Sequence, residues 1–324
     1  MVPPLKPTLD ARTLFFLTLP PMMWAGNAVV GRLVVGHMPP VMANAVRWAL
    51  VAVLMAPWAW QVLRQHEALR RRAGYLMLIG ALGVGSYNSL QYMALRTSSP
   101  LNVTLIGASM PMWMMLVGVI GFGQRATPRQ LGGALLSCAG VVLVMSQGSW
   151  AHLREVRLVP GDLLMLLAAL TWSIYSWLLV RKPASMQGEP AWNWAEFLWL
   201  QVLFGTLWAT ASAGVESAVV GHSHPWPADA QALGTLVFGL LFIAIGPSIL
   251  AYWGWGQGVR AVGPTVAAFF SNLTPVFAAV WAWALLGTAP QWYHPCALVL
   301  IGAGIVLSSS TPAARPTSTS EPAA

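Results

Sequence analysis

Arg96-Thr97-Ser98-Ser99-Pro100 returns 164 residues later as Arg260-Ala261-Val262-Gly263-Pro264. The same ungapped step carries Pro111 onto Pro275, Gly123 onto Gly287, and Ala139-Gly140 onto Ala303-Gly304. Around these landmarks lie ten apolar stretches, near residues 12–35, 41–63, 73–94, 100–122, 128–147, 160–181, 193–213, 232–258, 264–286 and 292–309. Each approaches the roughly 20 residues that a membrane-spanning helix needs. Five stretches per copy is an odd number, so the two copies enter the membrane from opposite sides. The reading is an all-α integral membrane protein with ten transmembrane helices in two inverted five-helix repeats. Residues 1–11 form a cytoplasmic N-terminal segment, 12–148 the first repeat and 149–310 the second. Residues 311–324, rich in Pro, Ser, Thr and Ala, form a disordered cytoplasmic tail.

Composition agrees with this reading. Of 324 residues, 57% are hydrophobic and 8% charged. A soluble domain carries about 25% charged residues, so this chain cannot clothe a water-facing surface. The 18 Trp suit aromatic belts at membrane interfaces. The formal charge of +8 would suggest nucleic acid in a soluble protein. Here there is no aqueous basic face to hold phosphates, and no nucleic-acid partner is expected. The positives instead report orientation. With the N-terminus in the cytoplasm, Lys6, Arg12, Arg64, Arg70, Arg71, Arg72, Arg125, Arg129, Arg181, Lys182, Arg260 and Arg315 fall inside. Only Arg96, Arg154 and Arg157 fall outside, and Arg32 and Arg47 lie within spans. The positive-inside rule then places a multi-pass chain in the cell (inner) membrane with both termini cytoplasmic. Lys6 and Arg12 before an apolar run resemble a signal peptide, but Pro20-Pro21 interrupts the run, which reads as a retained first span.

The order and spacing of several short motifs resemble the drug/metabolite transporter superfamily, specifically its EamA-type members. In the first copy these are Trp24-Ala25-Gly26-Asn27, Arg47-Trp48-Ala49-Leu50, Ala94-Leu95-Arg96-Thr97-Ser98-Ser99-Pro100 and Ser109-Met110-Pro111. The second copy supplies Trp172-Ser173, Gly258-Val259-Arg260-Ala261-Val262-Gly263-Pro264 and Asn272-Leu273-Thr274-Pro275. The resemblance runs from about Thr13 to Ser310. It implies two inverted EamA repeats around a central cavity, alternating access and a small-molecule substrate. It leaves open whether that substrate is an amino acid, another metabolite or a toxic compound.

Polar groups in hydrocarbon are costly, so their positions point to a pathway. Tyr87, Asn88 and Gln91 share one face of the third stretch, and their repeat mates include Tyr252 and Trp255. A polar stripe opposite an aromatic one can hold a small amphipathic solute, or it can bond helices together. Asn102 and Ser109 share a face in the fourth stretch, and Asn272 precedes Pro275 in the ninth. Pro111 and Pro275 each free a backbone carbonyl one turn back, for substrate or for a neighbouring helix. Trp24 with Asn27, and Trp172 with Tyr175, complete the candidate substrate-binding set. Arg47, Asp162 and Glu196 are candidates for structural or coupling roles, together with Pro111 and Pro275. Arg47 can pair with Asp162, bond carbonyls or meet a substrate carboxylate. Asp162 opens a helix, where an acid complements the helix dipole. Glu196 stands at an interface, and Glu216 is assigned to a loop.

Duplicated inverted halves are the usual build of a secondary transporter, with the site where the halves meet. The expected function is export of small metabolites such as amino acids. An importer or facilitator of a nucleoside, sugar or drug-like compound is the alternative, as is a non-transporting scaffold or sensor. Catalysis is not expected, because no H-E-x-x-H motif occurs and no histidine lies well within a span. No Walker motif occurs either, so ATP does not drive the protein directly. No cofactor or metal is called for. His222 and His224 read as a solvated loop, and Cys138 and Cys296 as buried apolar side chains. A monomer or a homodimer fits the reading, since ten helices suffice for one pathway.

Overall fold

The computed structural model describes residues 9–30, 39–154, 156–220 and 229–309, and these contain helices and connecting turns but no strand. Arg32, His37, His222, His224 and the tail lie outside the described residues. Helix α1 spans Ala11–Val30, and α2 spans Pro40–Ala59 before a 3-10 turn at Trp60–Arg64. Helix α3 (His66–Ile79) passes through a widened, π-helical turn at Gly80–Ser86 into α4 (Tyr87–Ala94). Helices α5 (Pro100–Ala108) and α6 (Met110–Phe122) meet at a 45° bend. After α7 (Pro128–Met145) comes a single turn, α8 (Trp150–Leu153). The second half contains α9 (Pro160–Val180), α10 (Trp194–Val220) and α11 (Ala230–Ile243). A second π-helical turn at Ala244–Leu250 leads into α12 (Ala251–Ser271), followed by α13 (Thr274–Leu286) and α14 (Tyr293–Ser309).

The duplication extends to backbone irregularities. The π-helical turns at Gly80–Ser86 and Ala244–Leu250 coincide under the 164-residue step, as do α6 and α13. Both of the latter helices end on a left-handed glycine, Gly123 at φ 64° and Gly287 at φ 69°. Proline breaks recur too. Pro111 and Pro275 lack an N–H to continue the helix behind them, so α5 is bent from α6 and α12 is parted from α13. The two breaks touch, because Asn272 Nδ2 donates to the carbonyl of Ala108, its own repeat mate, at 3.3 Å.

Small residues set the tightest packing. Helix α7 lies against α14 with Gly133 and Gly304 face to face. A Cβ on either would stand 2.7 Å from the other's carbonyl oxygen. Helices α2 and α10 run antiparallel, since Trp199 Nε1 donates to Ala52 O at 2.7 Å near one end and Glu216 meets Val41 near the other. Helix α1 packs on α12, and α9 on α4 and α6. Large apolar side chains remain on the outside, Ile120 at 77% exposure and Val299 at 70%, as lipid allows and water does not.

Two sequence expectations change. The seventh stretch does not stop near residue 213 but runs to Val220, so Glu216 lies in a helix and is buried. Its Oε2 accepts the backbone N–H groups of Val41 (3.0 Å) and Met42 (3.1 Å), capping α2, which is why a carboxylate is tolerated there. The count of ten spans is met only in part. Among the described residues, five helical segments are long and apolar enough to cross a membrane, or six with the bent α5–α6 pair. A proline break shortens α13 and a π-helical turn divides α3 from α4, and Ala230–Ser271 reads as one run of 42 residues although Gly263, at φ 81°, interrupts it just before Pro264.

Candidate functional site

Both halves of the chain contribute to one cavity of about 410 Å³. Helix α1 supplies Trp24 and Asn27, α2 supplies Ala43 and Arg47, and α4 supplies Tyr87, Asn88, Gln91 and Tyr92. From the second half come Met165 and Trp172 on α9, Tyr252 and Ser271 on α12, and Asn272, Thr274 and Pro275 at the α12–α13 break. The cavity extends to Leu95 and Pro100, at the connection between α4 and α5.

Its inner end is aromatic. The Trp172 ring lies 5.0 Å from Tyr87, 5.4 Å from Trp24 and 5.4 Å from Tyr252, centroid to centroid. Behind them, Tyr175 and Trp255 pack on Trp172 at 5.1 and 5.5 Å. Tyr252 also lines a second, small cavity of about 30 Å³ with Tyr175, Gln201 and Arg260. It therefore stands between the two spaces. Its hydroxyl donates to Gly83 O at 2.6 Å, and Tyr175 OH donates to Gln201 Oε1 at 3.0 Å.

The π-helical turns explain how the polar groups are held. A widened turn leaves a carbonyl free to bond away from its own helix. Gly83 O is taken by Tyr252. Its repeat mate Pro247 O accepts both Arg47 Nη2 at 3.2 Å and Trp24 Nε1 at 3.3 Å. Arg47 further donates through Nε to Ser248 Oγ at 2.5 Å and through Nη1 to Asn88 Oδ1 at 3.4 Å. Its guanidinium lies 4.9 Å from the Trp48 ring centroid. Arg47 is 2% exposed, and among the described residues no carboxylate pairs with it.

Of the expected substrate-binding residues, Trp24, Asn27, Tyr87, Asn88, Gln91, Trp172, Tyr252 and Asn272 line this cavity. Asn102, Ser109, Tyr175 and Trp255 do not. Asn102 Nδ2 donates to both oxygens of Asp162, at 3.2 and 3.0 Å, and to Arg157 O at 2.8 Å. Ser109 Oγ donates back to Ile106 O at 2.6 Å. Trp255, fully buried, donates Nε1 to Ser176 Oγ at 3.0 Å. Asp162 is not Arg47's partner. It accepts from Ser98 Oγ and from Val159 N at the start of α9. Glu196 accepts from Asn193 N at 2.9 Å and so closes the cap of α10. Pro275 lines the cavity and Pro111 does not, and Thr274 Oγ1 takes up the carbonyl of Ser271 that Pro275 leaves unpaired, at 2.7 Å.

Beyond Tyr252, on the far side, lies a basic cluster that sequence spacing did not bring together. Arg72 donates to the carbonyls of Ser185, Pro190 and Gly188 at 3.0, 2.8 and 3.1 Å. Burial, with Arg260 and Arg72 nearby, pushes the Lys182 ammonium down to about 8. Among the described residues no group of three His, Cys, Asp or Glu side chains is placed to hold a metal.

The model of the EamA-like transporter family matches residues 11–146 and again 159–310. An uncharacterized transporter of Bacillus subtilis is 25% identical over 85% of this chain and 86% of its own length. An aromatic amino acid exporter of Ancylobacter novellus is 24% identical over 70% of this chain and 73% of its own. A solved protein structure superimposes with a TM-score of 0.70 at 20% identity, covering 92% of this chain and 96% of its own, a likeness of fold. Two successive family matches on the two copies of a duplicated helical unit, meeting at one shared cavity, place the chain in the EamA-like transporter family as a multi-pass membrane protein.

Proposed function

We propose that this transporter is a secondary exporter of small metabolites such as amino acids, working by alternating access through the cavity between its two repeats. In this reading ten helices cross the inner membrane, the repeats lie in opposite orientations and both termini are cytoplasmic. The observation that carries it is the cavity of about 410 Å³, within the range of ligand sites, built from both repeats and bounded at one end by Tyr252. The described conformation is then open toward the α4–α5 connection. Tyr252, Tyr175 and Trp255 close the way to the other side and part when the halves rock. A mixed lining supports an amphipathic solute, with Asn27, Asn88 and Gln91 among aromatic rings. No described lining residue is acidic, which favours exchange or facilitated diffusion over proton coupling. The name of the Ancylobacter exporter supports amino acids as the first class to try.

The test is counterflow in proteoliposomes with labelled amino acids and related metabolites, with and without a pH gradient. Wild-type protein is expected to exchange one class saturably, and to do so regardless of the gradient. Gln91→Ala, whose side chain has no hydrogen bond to another described residue, is expected to raise the half-saturation concentration about tenfold with little loss of folding. Absence of exchange across the panel counts against transport of this class, and exchange untouched by Gln91→Ala and Trp172→Ala counts against this cavity.

A further inference from the structure

We infer that the cavity selects solutes by charge, taking a planar or aromatic monoanion, such as an arylalkyl carboxylate, in preference to the zwitterion or cation of the same shape. The inference rests on the transport reading of this cavity and, within small metabolites, favours carboxylates that lack an ammonium group over the amino acids named above. Arg47 is the one charged side chain among the described lining residues. Its hydrogen bonds go to neutral oxygens of Ser248, Pro247 and Asn88. A cation kept from water without a counter-charge is destabilising, and the cost falls when an anion enters beside it. Of the five guanidinium N–H groups, three make those bonds, which leaves two to meet a carboxylate.

The buried acids of the bundle do not neutralise the site. Asp162 is bound by Ser98, Asn102 and Val159, and Glu216 caps α2. An ammonium entering the cavity would meet aromatic faces, hydroxyls and amide oxygens such as Asn27 Oδ1, a buried atom with no partner, but no carboxylate among the described lining residues. Ser271 Oγ, also in the lining, is likewise buried and unpartnered. Both are neutral, so they can orient a solute but cannot offset a positive charge. The apolar body would lie on Trp172, with the Trp24 and Tyr87 ring centroids 5.4 and 5.0 Å from it.

Three probes share a phenyl-alkyl skeleton and differ in charge: 3-phenylpropanoate, phenylalanine and 2-phenylethylamine. Their binding to the purified full-length protein in detergent is measured by calorimetry at neutral pH, and their counterflow in proteoliposomes is measured separately. Phenylpropanoate is expected to bind about tenfold or more tightly than phenylalanine, with phenylethylamine weakest. Arg47→Gln should erase that order and Arg47→Lys should keep it. Because Arg47 also joins α2, α4 and the second π-helical turn, Asn27→Asp serves as an independent variant. It adds a negative charge while leaving the bonds of Arg47 intact, and should shift preference toward phenylalanine. The inference is overturned if phenylalanine binds as tightly as phenylpropanoate, if neither Arg47→Gln nor Asn27→Asp alters the order, or if no probe binds. A charge order in binding without counterflow of any probe would sink the transport reading and leave charge selection standing. Counterflow indifferent to charge would do the reverse.

Discussion

Asp162 shows how one side chain can be expensive in sequence and ordinary in structure. Four donor N–H and O–H contacts from Ser98, Asn102 and Val159 converge on its carboxylate. An amide there would turn its own N–H groups against those donors. Asp162→Asn is therefore expected to lower stability by about 1–3 kcal/mol, read as a fall in thermal midpoint in detergent. Half-saturation for substrate should be unchanged, because Asp162 does not line the cavity. Lys182 predicts a pH effect. Its ammonium, half-buried beside Arg260 and Arg72, is pushed from the ordinary 10.5 to about 8. Below about pH 8 the folded and unfolded chains both carry that charge, and the folded chain bears the cost of burying it. The cost disappears as pH rises from about 8 to 10.5, so the Lys182 contribution to stability improves across that window. Lys182→Met should raise the thermal midpoint at pH 7, by a margin that shrinks toward pH 10. A constant margin would argue against the shift.

At the scale of elements, the α7–α14 pair depends on glycine. Gly133→Ala would set a Cβ 2.7 Å from Gly304 O, a backbone atom that moves only if the helices separate. A loss of about 1–3 kcal/mol is expected. Gly302→Ala on α14, beside Gly304, meets nothing within 4 Å and should be neutral or slightly stabilising through helix propensity. Equal effects of the two substitutions on the unfolding midpoint would show that close approach is not what holds this pair. The widened turns were less legible. Pro247 marks one of them, but its mate Gly83 carries no proline, and both turns form. A π-helical turn exposes a carbonyl that needs an outside donor, and those donors, Tyr252 and Arg47, come from helices far along the chain.

For the whole molecule, the proposed inverted topology makes a direct prediction. In a cysteine-free background, Thr97→Cys on the α4–α5 connection should react with an impermeant maleimide on intact cells. Ser185→Cys, in the segment whose backbone holds Arg72, should react only after the membrane is permeabilised. Both positions are exposed, so accessibility to the reagent reports the side of the membrane. The opposite pattern would reverse the orientation, and labelling of both from one side would remove the inversion.

The helical class, the duplication and most of the polar and aromatic side chains that line the cavity could be read from the chain alone. Apolar run length and a repeated proline–glycine pattern are local properties, and a polar group in a span such as Asn88 or Gln91 is conspicuous wherever the chain folds. Which polar groups face the cavity and which bond helices together follows from the packing of the helices. Asn102 and Asn272 look alike in sequence, yet one serves Asp162 and the other reaches the cavity wall. The same packing decides that Arg47 meets carbonyl and hydroxyl oxygens rather than Asp162, and that Glu216 caps a helix from inside another. Such partnerships depend on how helices distant in the chain are brought together, and helix packing is set by small residues and proline breaks acting jointly across both repeats.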